Sequence, residues 1–318
     1  MRSWIRIAAI VLNFAAPTVW AAPKGVVALI PGTLNSALPG NIHENPIGQK
    51  WEISPYFSID IVHAFEAQGF AVHVVKDLGM TSSFESNGQA VARELSAWYW
   101  KNFPAGDVPI TLVGHSCGGI YGLYALSHSP GLPIRNLFFV STPLNGSELA
   151  DTAFSSGAVG VYLQTFVEKT AGLFDLRGLL EASTQRVRSF VDSQPVNREV
   201  LLYSVTGRQS TTLNPFQAFN SEFINPMLVP TYAWINRVAG ENDGVVSIRS
   251  SSGVDIYFRG LQGERMSIIH LPSLTMNLDH MEQMLDARLF APGGIQHLES
   301  IRAEQVRVYT GIAKIAAQ

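Results

Sequence analysis

An α/β fold, with a mostly parallel central sheet, helices on both faces and an inserted helical cap, is what this sequence predicts. Three observations carry that prediction. Unbroken β-branched runs alternate with segments of helical period over the first 140 residues, a Gly-x-Ser-x-Gly turn joins one such run to a helix, and the alternation lapses between about residues 146 and 195.

Taken in order, Gly25 to Ile30 (GVVALI) has no polar position, the pattern of a strand buried on both faces, and it stops at Pro31-Gly32. Ser58 to Gln68 has helical spacing and is closed by Gly69, and Phe70 to Val75 (FAVHVV) reads as the next strand, completing a βαβ unit. Asn87 to Asn102 reads as a second helix, Val108 to Val113 as a second buried strand, and Cys117 to Ser127 as an apolar helix after Gly114. Ile134 to Val140 (IRNLFFV) adds a further strand. In the middle, Ala158 to Thr170 and Leu176 to Arg188 are helix-like with no strand between them, which predicts a cap inserted into one domain. Alternation resumes with strand-like Glu199 to Val205 and Thr231 to Ile235 and ends in an apolar helical pattern at the C-terminus.

At 318 residues, 47% hydrophobic and 15% charged, the chain suffices for one large domain, residues 22–318, behind a leader at 1–21. Arg2 and Arg6, the apolar run Ile5 to Ala16 and the small residues of Val19-Trp20-Ala21 have the form of an export signal cleaved after Ala21, so a secreted protein, periplasmic or extracellular, is expected. No later stretch reaches the roughly 18 apolar residues of a membrane span. The formal net charge of −3 and the lack of a basic block argue against a nucleic-acid partner. With Cys117 as the single cysteine an intramolecular disulfide is excluded, and no Cys/His cluster has zinc-site spacing.

The chemistry centres on Gly114-His115-Ser116-Cys117-Gly118, which fits the sharp strand-to-helix turn that raises a serine above a sheet edge. Glycines are needed two residues either side because a Cβ there would push strand and helix apart. The bare pattern arises by chance in roughly one chain in ten of this length; its placement between a buried strand and a helix is what gives it weight. A serine nucleophile requires a base, an orienting carboxylate and oxyanion donors. With the chain order Ser, acid, His, the acid is Asp243, presented by the turn Asn242-Asp243-Gly244, with Asp255 and Asp279 as competitors. Of the three histidines that follow, His270 lies in an apolar run and His297 in an amphipathic helix, which leaves His280 in the polar turn 277–282, leading into a helix. His115 is too close to Ser116 in sequence to serve it as base. The N–H of Cys117 and that of Thr33, in the loop after the first strand, are the expected oxyanion donors, and the Cys117 thiol is expected to be a packed group.

At these residues the chain resembles the bacterial secreted triacylglycerol lipases of the Pseudomonas type, which belong to the α/β-hydrolase fold and carry a mobile lid. Four stretches carry the resemblance: Ala28 to Leu34 (ALIPGTL), Leu112 to Gly119 (LVGHSCGG), Val140 to Asp151 (VSTPLNGSELAD) and Asn242 to Ser252 (NDGVVSIRSSS). It implies a carboxylic ester hydrolase, esterase or lipase, working through Ser116, Asp243 and His280 and an acyl-enzyme, with an ester or lipid as substrate and transient contact with a lipid interface. Three departures stand out. Pro31 replaces the family's His before the oxyanion Gly, the family's disulfide is impossible, and its structural calcium loses ligands. Asn214, in Thr212 to Phe219, stands where an Asp is expected, and Glu282 is the only carboxylate at the second position, so no metal and no other cofactor is expected.

The apolar cap residues Val161, Leu163, Phe166, Leu173, Phe174 and Leu179 would line an acyl pocket, form a lid or simply pack as core. An acyltransferase or polyester depolymerase would use the same triad. A non-catalytic binding protein of the same fold is the rival from another class, and the complete set Ser116, Asp243 and His280 argues against it.

Overall fold

The computed structural model describes residues 22–33, 41–44, 50–53, 56–76, 78–79, 82–153, 160–161, 181–209, 228–286 and 294–318. Its centre is a six-stranded, wholly parallel sheet of β1 (Gly25–Ile30), β4 (Phe70–Val74), β5 (Ile110–His115), β6 (Ile134–Val140), β8 (Leu201–Val205) and β11 (Ile269–His270), in the spatial order β11-β8-β6-β5-β1-β4. The chain runs from β1 out to the edge at β4 and returns to the other side of β1 with β5, so strand order reverses between β1 and β5. The crevice at such a reversal, beyond the carboxyl ends of the strands, is where doubly wound sheets hold ligands.

The polar-free first strand is explained by two cores. Val27 and Leu29 face one, with α1 (Ile59–Glu66) and the C-terminal α8 (Gly294–Ala316), while Val26, Ala28 and Ile30 face the other, with α2 (Phe84–Asn102), α3 (Cys117–His128) and α5 (Thr184–Ser193). Each fully buried aliphatic side chain contributes about 2 kcal/mol, and a polar residue on either face would forfeit that.

Smaller elements complete the fold. β2 (Asn41–Glu44) and β3 (Lys50–Ile53) form an antiparallel pair, and β7 (Pro195–Val196) joins the hairpin of β9 (Tyr257–Gly260) and β10 (Arg265–Ser267). These short strands carry no pattern legible in the sequence, and a short helix α7 (Ile248–Ser252) lies between the turn at Asp243 and β9.

One expected strand is a helix. Thr231 to Ile235 lies inside α6 (Val229–Ala239), where Pro230 sits in the first turn and Thr231, Tyr232 and Ile235 form one buried face. A run of five mostly apolar residues does not distinguish strand from buried helix, and the proline favours the helix start. The turn at Asp243 therefore follows a helix. The segment after His280 stays a succession of turns to Leu285, with no helix among the residues described there. Of the expected cap, α4 (Glu148–Ala153) and α5 are described; of the proposed lining residues only Val161 is, and it is exposed, while Leu163, Phe166, Leu173, Phe174 and Leu179 lie outside the described residues. No described helix is long and apolar enough to cross a membrane.

Candidate active site

β5 ends at His115 and α3 begins at Cys117, so Ser116 makes the whole turn between them. It does so at φ 56° and ψ −135°, a backbone state that a side chain disfavours, and its N–H donates to the Val140 carbonyl at 2.9 Å. The glycine requirement is physical: a Cβ on Gly114 would run into the backbone of Gly118 and Gly119, and one on Gly118 into the carbonyl of Ile30. Strand, turn and helix thus pack backbone to backbone and hold Ser116 half-exposed at the mouth of the β1/β5 crevice.

Asp243 is fully buried and fully hydrogen-bonded. Its Oδ1 accepts from the N–H groups of Val245 (3.0 Å) and Val246 (2.8 Å), and its Oδ2 from His280 Nδ1 (2.8 Å) and Gln283 Nε2 (2.9 Å). Four hydrogen bonds on one carboxylate fix its plane. The backbone agrees, since the N–H of His280 donates to the Asp243 carbonyl at 2.9 Å. The turn is in turn held by Thr231 of α6, whose hydroxyl donates to the Gly244 carbonyl at 2.6 Å.

The structure separates His280 from its competitors. The rings of His280 and His115 pack with centroids 4.6 Å apart, which puts His280 beside the elbow, on the residue that precedes Ser116. His270 sits in the edge strand β11, with Nδ1 3.0 Å from Ser204 Oγ, and partial burial lowers its pKa. His297 is buried in α8 with Nε2 2.9 Å from Glu282 Oε1. Asp279 uses Oδ1 to accept from the N–H groups of Met281 and Glu282, closing the turn, and Asp255 is exposed. The described hydrogen bonds join His280 to Asp243 and none joins the ring to Ser116 Oγ; without substrate, catalytic hydrogen bonds of this kind are commonly long and tighten on binding.

On the oxyanion side, Cys117 N–H heads α3 and Thr33 follows Gly32 in the loop after β1. The Thr33 side chain lies against both the Cys117 thiol and the Tyr121 hydroxyl. Burial pushes the Cys117 thiol upward, which makes it a packed, un-ionised group.

Three sets of contacts were not visible in the sequence. Gln283 shares Asp243 Oδ2 with His280. The pair Glu282–His297 and the buried Gln305, whose Nε2 donates to the carbonyls of Glu282 (2.7 Å) and Leu285 (2.9 Å) and whose Oε1 accepts from Ser58 Oγ (2.7 Å), fasten the histidine loop to α8 and α1. The third is Tyr56, whose hydroxyl lies 2.9 Å from His115 Nδ1. None belongs to a short motif; the nearest signal was the helical period of α8, which placed Gln305 on a helix without saying what it faced.

Glu282, the carboxylate at the second expected calcium position, is buried with a protein partner on each oxygen. One of its oxygens meets His297 and the other accepts from the N–H of Asp279 at 3.2 Å. The segment Thr212 to Phe219, with Asn214, lies outside the described residues, and among the described residues no group of three or more His, Cys, Asp or Glu is placed to hold a metal. A cavity of about 650 Å³ lined by Arg188, Arg249, Arg259 and Arg265 with Asp192 and Asp255 contains none of Ser116, Asp243, His280, Thr33 and Cys117.

No family model matches the sequence, and no curated protein matches it. Solved structures do. A carboxyl esterase from a metagenome superposes at a TM-score of 0.60 with 18% identity, covering 93% of this chain and 76% of that one. The mature lipase of Bacillus licheniformis gives 0.54 at 20% identity over 82% and 86%, and the lipase of Staphylococcus hyicus gives 0.54 at 13% identity over 94% and 99%. The fold is that of the α/β-hydrolases. Within this fold the end of β5 at Ser116 lies against Gly32 of the loop after β1, and the Asp243–His280 pair packs on His115.

Proposed function

We propose that this protein is a carboxylic ester hydrolase in which Ser116 is the nucleophile, His280 the general base and acid, and Asp243 the residue that orients the imidazole. The observation that carries the reading is the buried Asp243–His280 hydrogen bond of 2.8 Å, set beside a serine strained at φ 56° at the head of a helix. The similarity in fold to bacterial lipases and esterases supports it.

With Nδ1 donating to Asp243, the neutral ring leaves Nε2 free to accept the Ser116 hydroxyl proton as Oγ attacks the ester carbonyl carbon. The N–H groups of Cys117 and Thr33 take the oxyanion. Collapse breaks the ester C–O bond, and the leaving alkoxide receives the proton from Nε2. Water, deprotonated by the same nitrogen, then attacks the acyl-enzyme, and the carboxylic acid departs with Ser116 restored. No step requires a metal, and we infer that the enzyme works without calcium. The leader at 1–21, outside the described residues, supports export, and the four matching stretches support a lipase of the Pseudomonas type.

Hydrolysis of p-nitrophenyl esters from acetate to palmitate, by wild type and Ser116→Ala, tests the reading. Activity that vanishes in the variant is expected, and the chain-length profile then separates esterase from lipase. Equal rates in the two proteins would remove Ser116 from the mechanism.

A further inference from the structure

The sharpest unexplained feature beside the site is a buried tyrosine hydroxyl between the elbow and the oxyanion loop. Tyr56 lies before α1 and is 1% exposed. Its oxygen is 2.9 Å from His115 Nδ1 and packs directly against Gly32. The packing is close enough that a Cβ on Gly32 would stand 2.6 Å from Tyr56 Oη and 2.8 Å from Ser116 Cβ. Three chain segments, the loop after β1, the approach to α1 and the end of β5, therefore converge on one oxygen.

The contact joins a neutral hydroxyl to a neutral imidazole, and the hydroxyl donates to Nδ1 when His115 carries its proton on Nε2. Burial favours this arrangement at both ends, raising the tyrosine well above its ordinary range and holding the histidine neutral, with the nearby His280 adding to the second effect. Pro31 has neither an N–H nor a polar side chain, so the loop has no anchor of its own at that residue.

We propose that Tyr56 is a positioning residue for the oxyanion site: with its hydroxyl hydrogen-bonded to His115 and packed against Gly32, it sets the adjacent Thr33 N–H against Ser116. The proposal rests on the serine-hydrolase reading above. Its chemistry is indirect, since Tyr56 touches no reacting atom and acts through the loop it holds.

Tyr56→Phe removes one oxygen and keeps the ring that packs edge-on against Phe57 and His115. The expected result is a ten- to hundredfold fall in kcat with KM within about twofold, below the hundredfold or more that a direct oxyanion donor commands. The affinity for a trifluoromethyl ketone, which forms a tetrahedral oxyanion on Ser116, should weaken by the same factor as kcat/KM falls. Loss of packing alone would lower Tm without that correspondence. As a conservative rescue, His115→Gln, whose amide oxygen can accept the same O–H, should keep at least half of the activity, whereas His115→Leu should reproduce the Tyr56→Phe loss. Unchanged kcat/KM and ketone affinity in Tyr56→Phe, or equal activity in His115→Gln and His115→Leu, would overturn the assignment to Tyr56 alone. A wild type with no esterase activity would take down the serine-hydrolase reading and this one with it.

Discussion

The two halves of the candidate site are held in different ways. On the nucleophile side, Gly114, Gly118 and the β1 and β5 backbones touch directly, and the strain at Ser116 is enforced by the sheet itself. On the histidine side, residues 277–285 are turns with no sheet or helix of their own, and side chains from α8 fasten them: His297 to Glu282, Gln305 to two carbonyls, and Glu304 to the N–H of Asn277 at 3.0 Å. A site built half on close backbone packing and half on long-range side-chain hydrogen bonds should fail differently when each half is damaged.

The largest loss is expected on the histidine side. His297→Leu leaves the Glu282 carboxylate buried opposite an apolar group, a loss of about 3–5 kcal/mol when one partner of a buried pair is removed, readable by urea unfolding. A loss below about 1 kcal/mol would show that α8 does not hold the loop through this pair. Gly118→Ala comes next. Its Cβ would meet the carbonyls of Ile30 and Pro31, both backbone and unable to rotate away, so a cost near the upper end of overpacking, about 3 kcal/mol, is expected together with loss of esterase activity.

That contrast also sets what was legible. The parallel sheet and the turn at Ser116 could be read because a buried strand and a glycine-spaced turn are local patterns: β1 and β6 have the predicted ends, and α3 ends one residue later. The helix at Val229–Ala239 was misread because five residues of mixed apolar character fit either period. Tyr56 and Gln305 were invisible because their partners lie 59 and 247 residues away in sequence, and hydrogen bonds of that span leave no spacing to detect.

A smaller effect separates the halves by pH. His115 behind the elbow is held neutral by burial, and His270 less strongly so. Below a pH of about 6.5 the unfolded chain binds protons that the native histidines refuse. Their contribution is therefore complete above that pH and falls as the solution is acidified, by up to about 1.4 kcal/mol per pH unit for each histidine. Unfolding free energies measured from pH 7 to pH 5 should decline less steeply in His115→Gln than in wild type; parallel curves would mean that His115 is not held neutral. The smallest effect is expected at Cys117→Ala, which removes a packed thiol and leaves the backbone donor in place. Activity within a few fold of wild type and a cost of about 1 kcal/mol are expected, while loss of activity would make the thiol more than filling.

The most direct measurement is intact-mass and peptide analysis after treatment with a fluorophosphonate, which phosphonylates a serine only when a neighbouring base activates it. The account predicts one adduct, on the peptide carrying Ser116, appearing as activity disappears and absent from both Ser116→Ala and His280→Ala. An adduct on another residue, or labelling of Ser116 at the wild-type rate in His280→Ala, would contradict it.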